Sequence, residues 1–94
     1  MATVEEIVEA SEKKDGGKGK ANEYTLNSMK EHAEEIAGLF GKNDGHWKDE
    51  CADMMIHCLV LFKREGIDEI KVLELLEKRK ERFMEKIKGN TGSS

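Results

Sequence analysis

The stretch Glu50–Phe62, ECADMMIHCLVLF, decides how this chain is read. From Met54 to Phe62 it is apolar almost all round, which marks a helix buried on most of its sides. On a wheel of about 100° per residue with Glu50 at zero, Asp53 falls near 300° and His57 near 340°. Val60, at about 280°, and Leu61, at about 20°, share that face, so the two carboxylates begin a stripe that continues as core. The helix dipole accounts for acids in the first turn, here Asp49 and Glu50. Asp53 lies nearly two turns in and needs another reason. Like charges on a packing face repel, and a proton, a base or a metal must neutralise them.

Outward from this stretch, the helix spans about residues 46–65 and is ended by Gly66. Before it, Gly41-Lys-Asn-Asp-Gly45 turns the chain from a second helix, which starts at Glu23 or Tyr24 and ends at Phe40. That helix carries Leu26, Met29, Ala33, Ile36, Ala37 and Phe40 at three-four spacing. Asp68 is a good cap for a fourth helix with Ile70, Val72, Leu73, Leu76, Phe83, Met84 and Ile87 on its apolar positions. At the other end of the chain, Thr3 and Glu6 have capping-box spacing, and Val4, Ile7 and Val8 form one short stripe. The expected organisation is a short N-terminal helix over 1–14, a Gly/Lys-rich linker over 15–22, a helical domain over 23–88 and a disordered tail over 89–94. The glycine-rich segment lacks both the spacing and the preceding strand of a Walker phosphate loop. No strand pattern occurs. The expected fold is an all-α antiparallel bundle of three main helices plus the short leading one, completed by oligomerisation.

Composition supports that completion. Charged residues make up 38% of the 94 residues and hydrophobic ones 37%, a thin apolar share for a monomer of this size. A net charge of -4 disfavours direct nucleic-acid binding, because a phosphate backbone wants a basic face. Cys51 and Cys58 lie about two helical turns, roughly 10 Å, apart along the axis, too far for a disulfide. They read as reduced core cysteines and suit a cytoplasmic protein. No signal-peptide order and no membrane-length apolar run is present, so no membrane association is expected.

The second helix offers a further pair of acids, Glu31 and Glu34, one turn apart and away from its apolar stripe. Taken alone they are ordinary solvated charges. Opposite Glu50 and Asp53 on an antiparallel neighbour, they would place carboxylate oxygens on both sides of a gap. Such oxygen donors suit Mg²⁺ or Mn²⁺.

The order of these motifs resembles a known family. Lys30-Glu-His-Ala-Glu34, then fifteen residues, then Glu50-Cys-Ala-Asp53 is similar to the E-E-x-x-E … E-x-x-D signature of the MazG-like, all-α nucleoside triphosphate pyrophosphohydrolases. The turn Glu65-Gly-Ile-Asp68 and the charged helix ending at Phe83 fit the same order, so the likeness covers about residues 24–83. Lys30 stands where the family often has its first glutamate. The resemblance implies that Glu31, Glu34, Glu50 and Asp53 are the catalytic acids and the ligands of Mg²⁺, with Mn²⁺ as a substitute. It implies cleavage of a (d)NTP between its α- and β-phosphates, giving the monophosphate and pyrophosphate. It also implies a homodimer or tetramer and a nucleoside triphosphate as substrate.

Lys78 and Arg82 on the fourth helix could contact phosphate, and Trp47 at the mouth of the third helix could stack on a base. Each also reads as solvated charge or rim packing. His57, one turn past Asp53, could orient a carboxylate or a water, or be a hydrogen-bonded core histidine. A zinc site from His46, Cys51, His57 and Cys58 fails, because both cysteines point away from His57. The contrasting functional reading is a non-catalytic helical-bundle interaction module, in which the four acids are surface charge.

Overall fold

Short-range hydrogen bonds mark several of the helix ends. The structure is a computed structural model that describes residues 1–92 as α1 (Val4–Asp15), α2 (Lys18–Gly41), α3 (Trp47–Arg64) and α4 (Glu69–Gly92). There is no strand among the described residues, and the protein is all-α.

Thr3 caps α1, its hydroxyl accepting the Glu6 N–H at 3.1 Å. The helix stops at Gly16, whose φ of 84° lies in the left-handed region, and the Gly17 N–H returns to the Glu12 carbonyl at 2.8 Å. Gly16 and Gly17 are the whole interruption, since α2 starts at Lys18. The glycine content predicts a linker over 15–22, but α2 already begins at Lys18 and runs through Gly19. A helical glycine costs about 1 kcal/mol. Ala21 and Thr25, both buried within the next two turns, supply packing that offsets it.

Between α2 and α3, Asp44 closes the turn by accepting the His46 N–H at 3.0 Å, and Asn43 takes a φ of 60°. At the end of α3, the Ile67 N–H reaches the Phe62 carbonyl at 2.9 Å and the Gly66 N–H reaches Lys63 at 3.0 Å. This double return requires the positive φ of 75° that Gly66 adopts. Asp68 then caps α4, accepting the Lys71 N–H at 3.0 Å. α4 extends to Gly92, so residues 89–92 of the expected tail are helical, while Ser93 and Ser94 lie outside the described residues.

α1, α2 and α3 pack on one another, with the α2–α3 contact the most extensive, whereas α4 makes no extensive contact with any of them. The radius of gyration is 16.3 Å, against about 12 Å for a compact domain of this length. The buried apolar side chains are Ala21, Val60 and Val72; Thr25 and Arg64 are buried with them.

The expected apolar stripe of α2 does not face this core. Leu26 is 49% exposed and Phe40 64% exposed. The face that meets α3 instead carries Ala21, Thr25, His32 and Glu35, about 110° around the helix from that stripe. Asn22 and Thr25 meet Arg64 while His32 and Glu35 meet Glu50, so α2 and α3 run antiparallel. Two surface pairs, Lys18–Glu65 at 3.5 Å and Lys63–Glu5 at 3.8 Å, join neighbouring helices and add little. No helix among the described residues is long and apolar enough to cross a membrane.

Candidate functional site

One side of α3 carries Glu50, Asp53, His57, Val60 and Arg64 at alternating three- and four-residue spacing, with Asp53 exposed at its edge. Four of those five side chains are titratable. Facing them, α2 presents Thr25, His32 and Glu35. The seam between the two longest packed helices is therefore polar along about 20 Å of its length.

At its acidic end, one carboxylate oxygen of Glu50 is hydrogen-bonded to His32 Nδ1. Glu35 hydrogen-bonds to the same Glu50, and the two carboxyls compete for one proton. Glu35 is pushed up by its hydrogen bond to Glu50 and then by the Glu50 charge, with the neighbouring Glu31 adding repulsion. Glu50 is held below the usual glutamate range, first by His32 and then by Glu35 as a donor. The two carboxyls are thus pushed apart, Glu35 toward holding its proton and Glu50 toward losing it, the ordinary outcome for two carboxyls sharing a site.

Next along the seam, the rings of His32 and His57 lie 5.1 Å apart, tilted by 32°. Burial lowers the His57 pKa, the facing His32 lowers it further, Asp53 raises it and Arg64 lowers it again. His57 is thus held as a neutral imidazole, able to accept a proton. At the far end stands Arg64, 8% exposed. Its Nη1 donates to Asn22 Oδ1 at 3.0 Å and Thr25 Oγ1 at 2.9 Å, and its Nη2 to Ser11 Oγ at 2.7 Å. Arg64 Nε is buried without a partner, and all three acceptors are neutral.

Among the described residues, His32, Glu35 and Glu50 form a group whose possible ligand atoms all lie within 4.8 Å of one another. One nitrogen and two carboxylate oxygens from two antiparallel helices fit a divalent transition ion such as Mn²⁺. Mg²⁺ fits the two carboxylates alone, leaving His32 to orient Glu50. Any such ion would compete with the proton that the raised Glu35 tends to hold.

Of the four acids expected from sequence, the fold places Glu50 in this group; Asp53 is exposed and stands outside it, though close enough to His57 to act on its charge. Glu31 and Glu34 are exposed and stand outside the group; the pair on α2 that faces Glu50 is His32 and Glu35, one residue further along. Trp47 packs edge-on against Phe40, ring centroids 5.3 Å apart, at the turn joining the two seam helices. Lys78 and Arg82 are exposed on α4, and Arg82 Nη1 sits 3.7 Å from Glu85. Sequence reasoning passed over His32, Glu35 and Arg64. The signal that could have found them was the shared face of the polar positions 50, 53, 57 and 64, matched by the small and polar positions 21, 25, 32 and 35 of α2.

Comparison with protein-family models, with curated proteins and with solved structures finds no match to this chain.

Proposed function

We propose that the chain is a divalent-metal-dependent nucleoside triphosphate pyrophosphohydrolase of the MazG-like kind, acting through the acidic end of the α2–α3 seam. The observation that supports this reading is the meeting of His32 and Glu35 with Glu50, beside Asp53 and a neutral His57. The sequence resemblance asks for Glu31 and Glu34 opposite Glu50 and Asp53; here a histidine and a glutamate one residue further along α2 stand opposite Glu50 instead. His32, Glu35 and Glu50 would hold Mg²⁺ or Mn²⁺, and Asp53 extends the donor set by one turn. The metal, when bound, would offset the charge of the phosphates. Water attacks the α-phosphorus, the bond to the bridging oxygen breaks, and pyrophosphate leaves. His57, whose imidazole is biased toward the neutral form, would take the proton of that water. Glu31 and Glu34, exposed on the flank, add to the negative field that a cation must balance.

A second reading has its own observation. The exposed apolar face of α4 favours a helical module that works by binding a protein partner. Pyrophosphate release over a panel of ribo- and deoxyribonucleoside triphosphates, with and without Mg²⁺ or Mn²⁺, separates the two. Metal-dependent release that is lost in Asp53→Ala and Glu50→Gln supports the hydrolase. No release from any nucleotide ends that reading in favour of the module.

A further inference from the structure

We infer that the apolar face of α4 is covered by α4 of a second copy of this chain, lying antiparallel to it. The inference is independent of the chemistry at the seam and stands whether or not the seam turns over a nucleotide.

The amount of exposed surface calls for a cover. The chain exposes 7529 Å². A compact monomer of 10.6 kDa exposes about 5,500 Å², so roughly 2,000 Å² is left over. A standard protein–protein interface removes about 800 Å² from each partner, and obligate dimers remove more. The excess is therefore enough for a stable dimer.

Much of that surface lies on α4. Ile70 is 69% exposed, Leu73 63% and Phe83 61%, with Leu76 and Met84 each at 50%. Leu73, Leu76, Lys80 and Phe83 follow the three-four-three spacing of a helix-pairing seam. Leu76, Phe83 and Met84 line an apolar surface groove, with Arg79 and Lys80 at its edges. Lys80 stands within the stripe and is already neutralised by Glu77 of its own helix at 2.6 Å.

Charge selects the occupant and its direction. Residues 69–77 hold three acids and one lysine, a net -2, while residues 78–86 hold five bases and two acids, a net +3. Two parallel copies would set acidic half on acidic half and basic half on basic half. Antiparallel copies set each acidic half on the other's basic half, and bring Leu73 and Leu76 of one onto Phe83 and Met84 of the other. Surface charges add little affinity, but they decide orientation by penalising the wrong one. The same helix thus supplies both complementary surfaces, as a two-fold interface requires.

Sedimentation equilibrium and light scattering on the full chain test the pairing. The expected mass is about twice the 10.6 kDa of one chain. Leu76→Glu together with Phe83→Glu should give the single-chain mass. The helical circular dichroism of the α1–α3 body should persist, because α4 packs little against it. Glu74→Lys with Glu77→Lys should weaken the dimer about tenfold or more at low salt, and adding Arg79→Glu with Arg82→Glu should restore it. Direction is read by spin labels at Lys71→Cys in a Cys51→Ala, Cys58→Ala background. Lys71 lies about eight residues, roughly 12 Å, from the middle of the pairing segment, so antiparallel copies place the labels about 25 Å or more apart. Parallel copies place them within about 15 Å. A single-chain mass at all concentrations, a short label distance, or a dimer that survives Leu76→Glu with Phe83→Glu would each overturn the inference. A monomer that instead sediments with anionic phospholipid vesicles would give the face to a lipid surface and overturn it too.

Discussion

Replacing Arg64 by lysine, usually counted as a mild change, should destabilise this protein by about 2 kcal/mol. Arg64 joins three helices: Ser11 of α1 and Asn22 and Thr25 of α2 all accept from its two terminal nitrogens, at 2.7 to 3.0 Å. A planar fork reaches all three at once, whereas an ammonium on a shorter reach can satisfy one. Each of these buried or part-buried acceptors left without its donor costs about 1 kcal/mol. Two are lost, which gives the figure. Arg64→Ala loses all three and the packing of the stem as well, about 3 to 4 kcal/mol in total. In a domain of this length each kcal/mol moves the midpoint of thermal unfolding by about 4 to 8 °C. The lysine variant should therefore melt about 10 to 15 °C below the parent. Urea unfolding followed by far-UV circular dichroism, at one fixed protomer concentration, is the direct assay. Thr25→Val should cost about 1 kcal/mol in the parent and less in the lysine variant, since its donor is already gone. A lysine variant as stable as the parent would refute the reasoning: a positive charge at this position would then suffice, and the fork would be idle.

Other expectations concern the acidic end of the seam and the turns. Glu35 is raised in the folded chain, so its contribution to stability is present below its unfolded pKa and is lost as pH rises through the folded value. Glu50 is lowered, so its contribution is present above its unfolded pKa and is lost as pH falls through the folded value. Glu35→Gln, which keeps a donor for Glu50 but has no proton to release, should flatten the melting temperature on the alkaline side of the carboxylate range. Mn²⁺ affinity, read by the loss of its free-ion paramagnetic resonance signal, should rise with pH as the shared proton leaves; a pH-independent affinity would show that the ion binds elsewhere. Gly66→Ala should lose about 1 to 2 kcal/mol, because the left-handed φ at that position is strained for any residue with a Cβ; equal chemical unfolding midpoints would contradict the turn geometry. His57→Phe should preserve the helical fold while removing the proton acceptor, so pyrophosphate release should fall and its pH profile should lose the limb due to the imidazole.

Much of the helical framework was legible in the residues. Thr3 with Glu6, Asp68 with Lys71, and Gly66 after Arg64 mark helix ends through short-range hydrogen bonds, and these form as their spacing implies. Two kinds of information were hidden. The start of α2 was obscured because the weak helix propensity of Gly19 is visible locally, while the burial of Ala21 and Thr25 that overcomes it depends on α1 and α3. The facing of α2 was obscured for a related reason. A hydrophobic wheel assumes that the inward side is the apolar side, and here the inward side holds His32, Glu35 and Thr25 while Leu26 and Phe40 face outward. Glu50 could be read because it stands at the head of the stripe that the apolar run on α3 continues. His32 and Glu35 could not, because neither stands out from the charged residues around it until Glu50 is set against them.

The small core has a thermodynamic consequence. With Ala21, Val60 and Val72 as its buried apolar residues, one chain removes little nonpolar surface from water on folding. Its own heat-capacity change of unfolding should fall below the roughly 12 to 15 cal/mol/K per residue of ordinary globular proteins, and its stability curve should be broad and shallow. Association through outward-facing apolar surface would restore the missing increment only as fast as chains meet. Unfolding should then become steeper, and its midpoint higher, as the protein is concentrated. For such a chain the melting temperature describes the solution as much as the molecule.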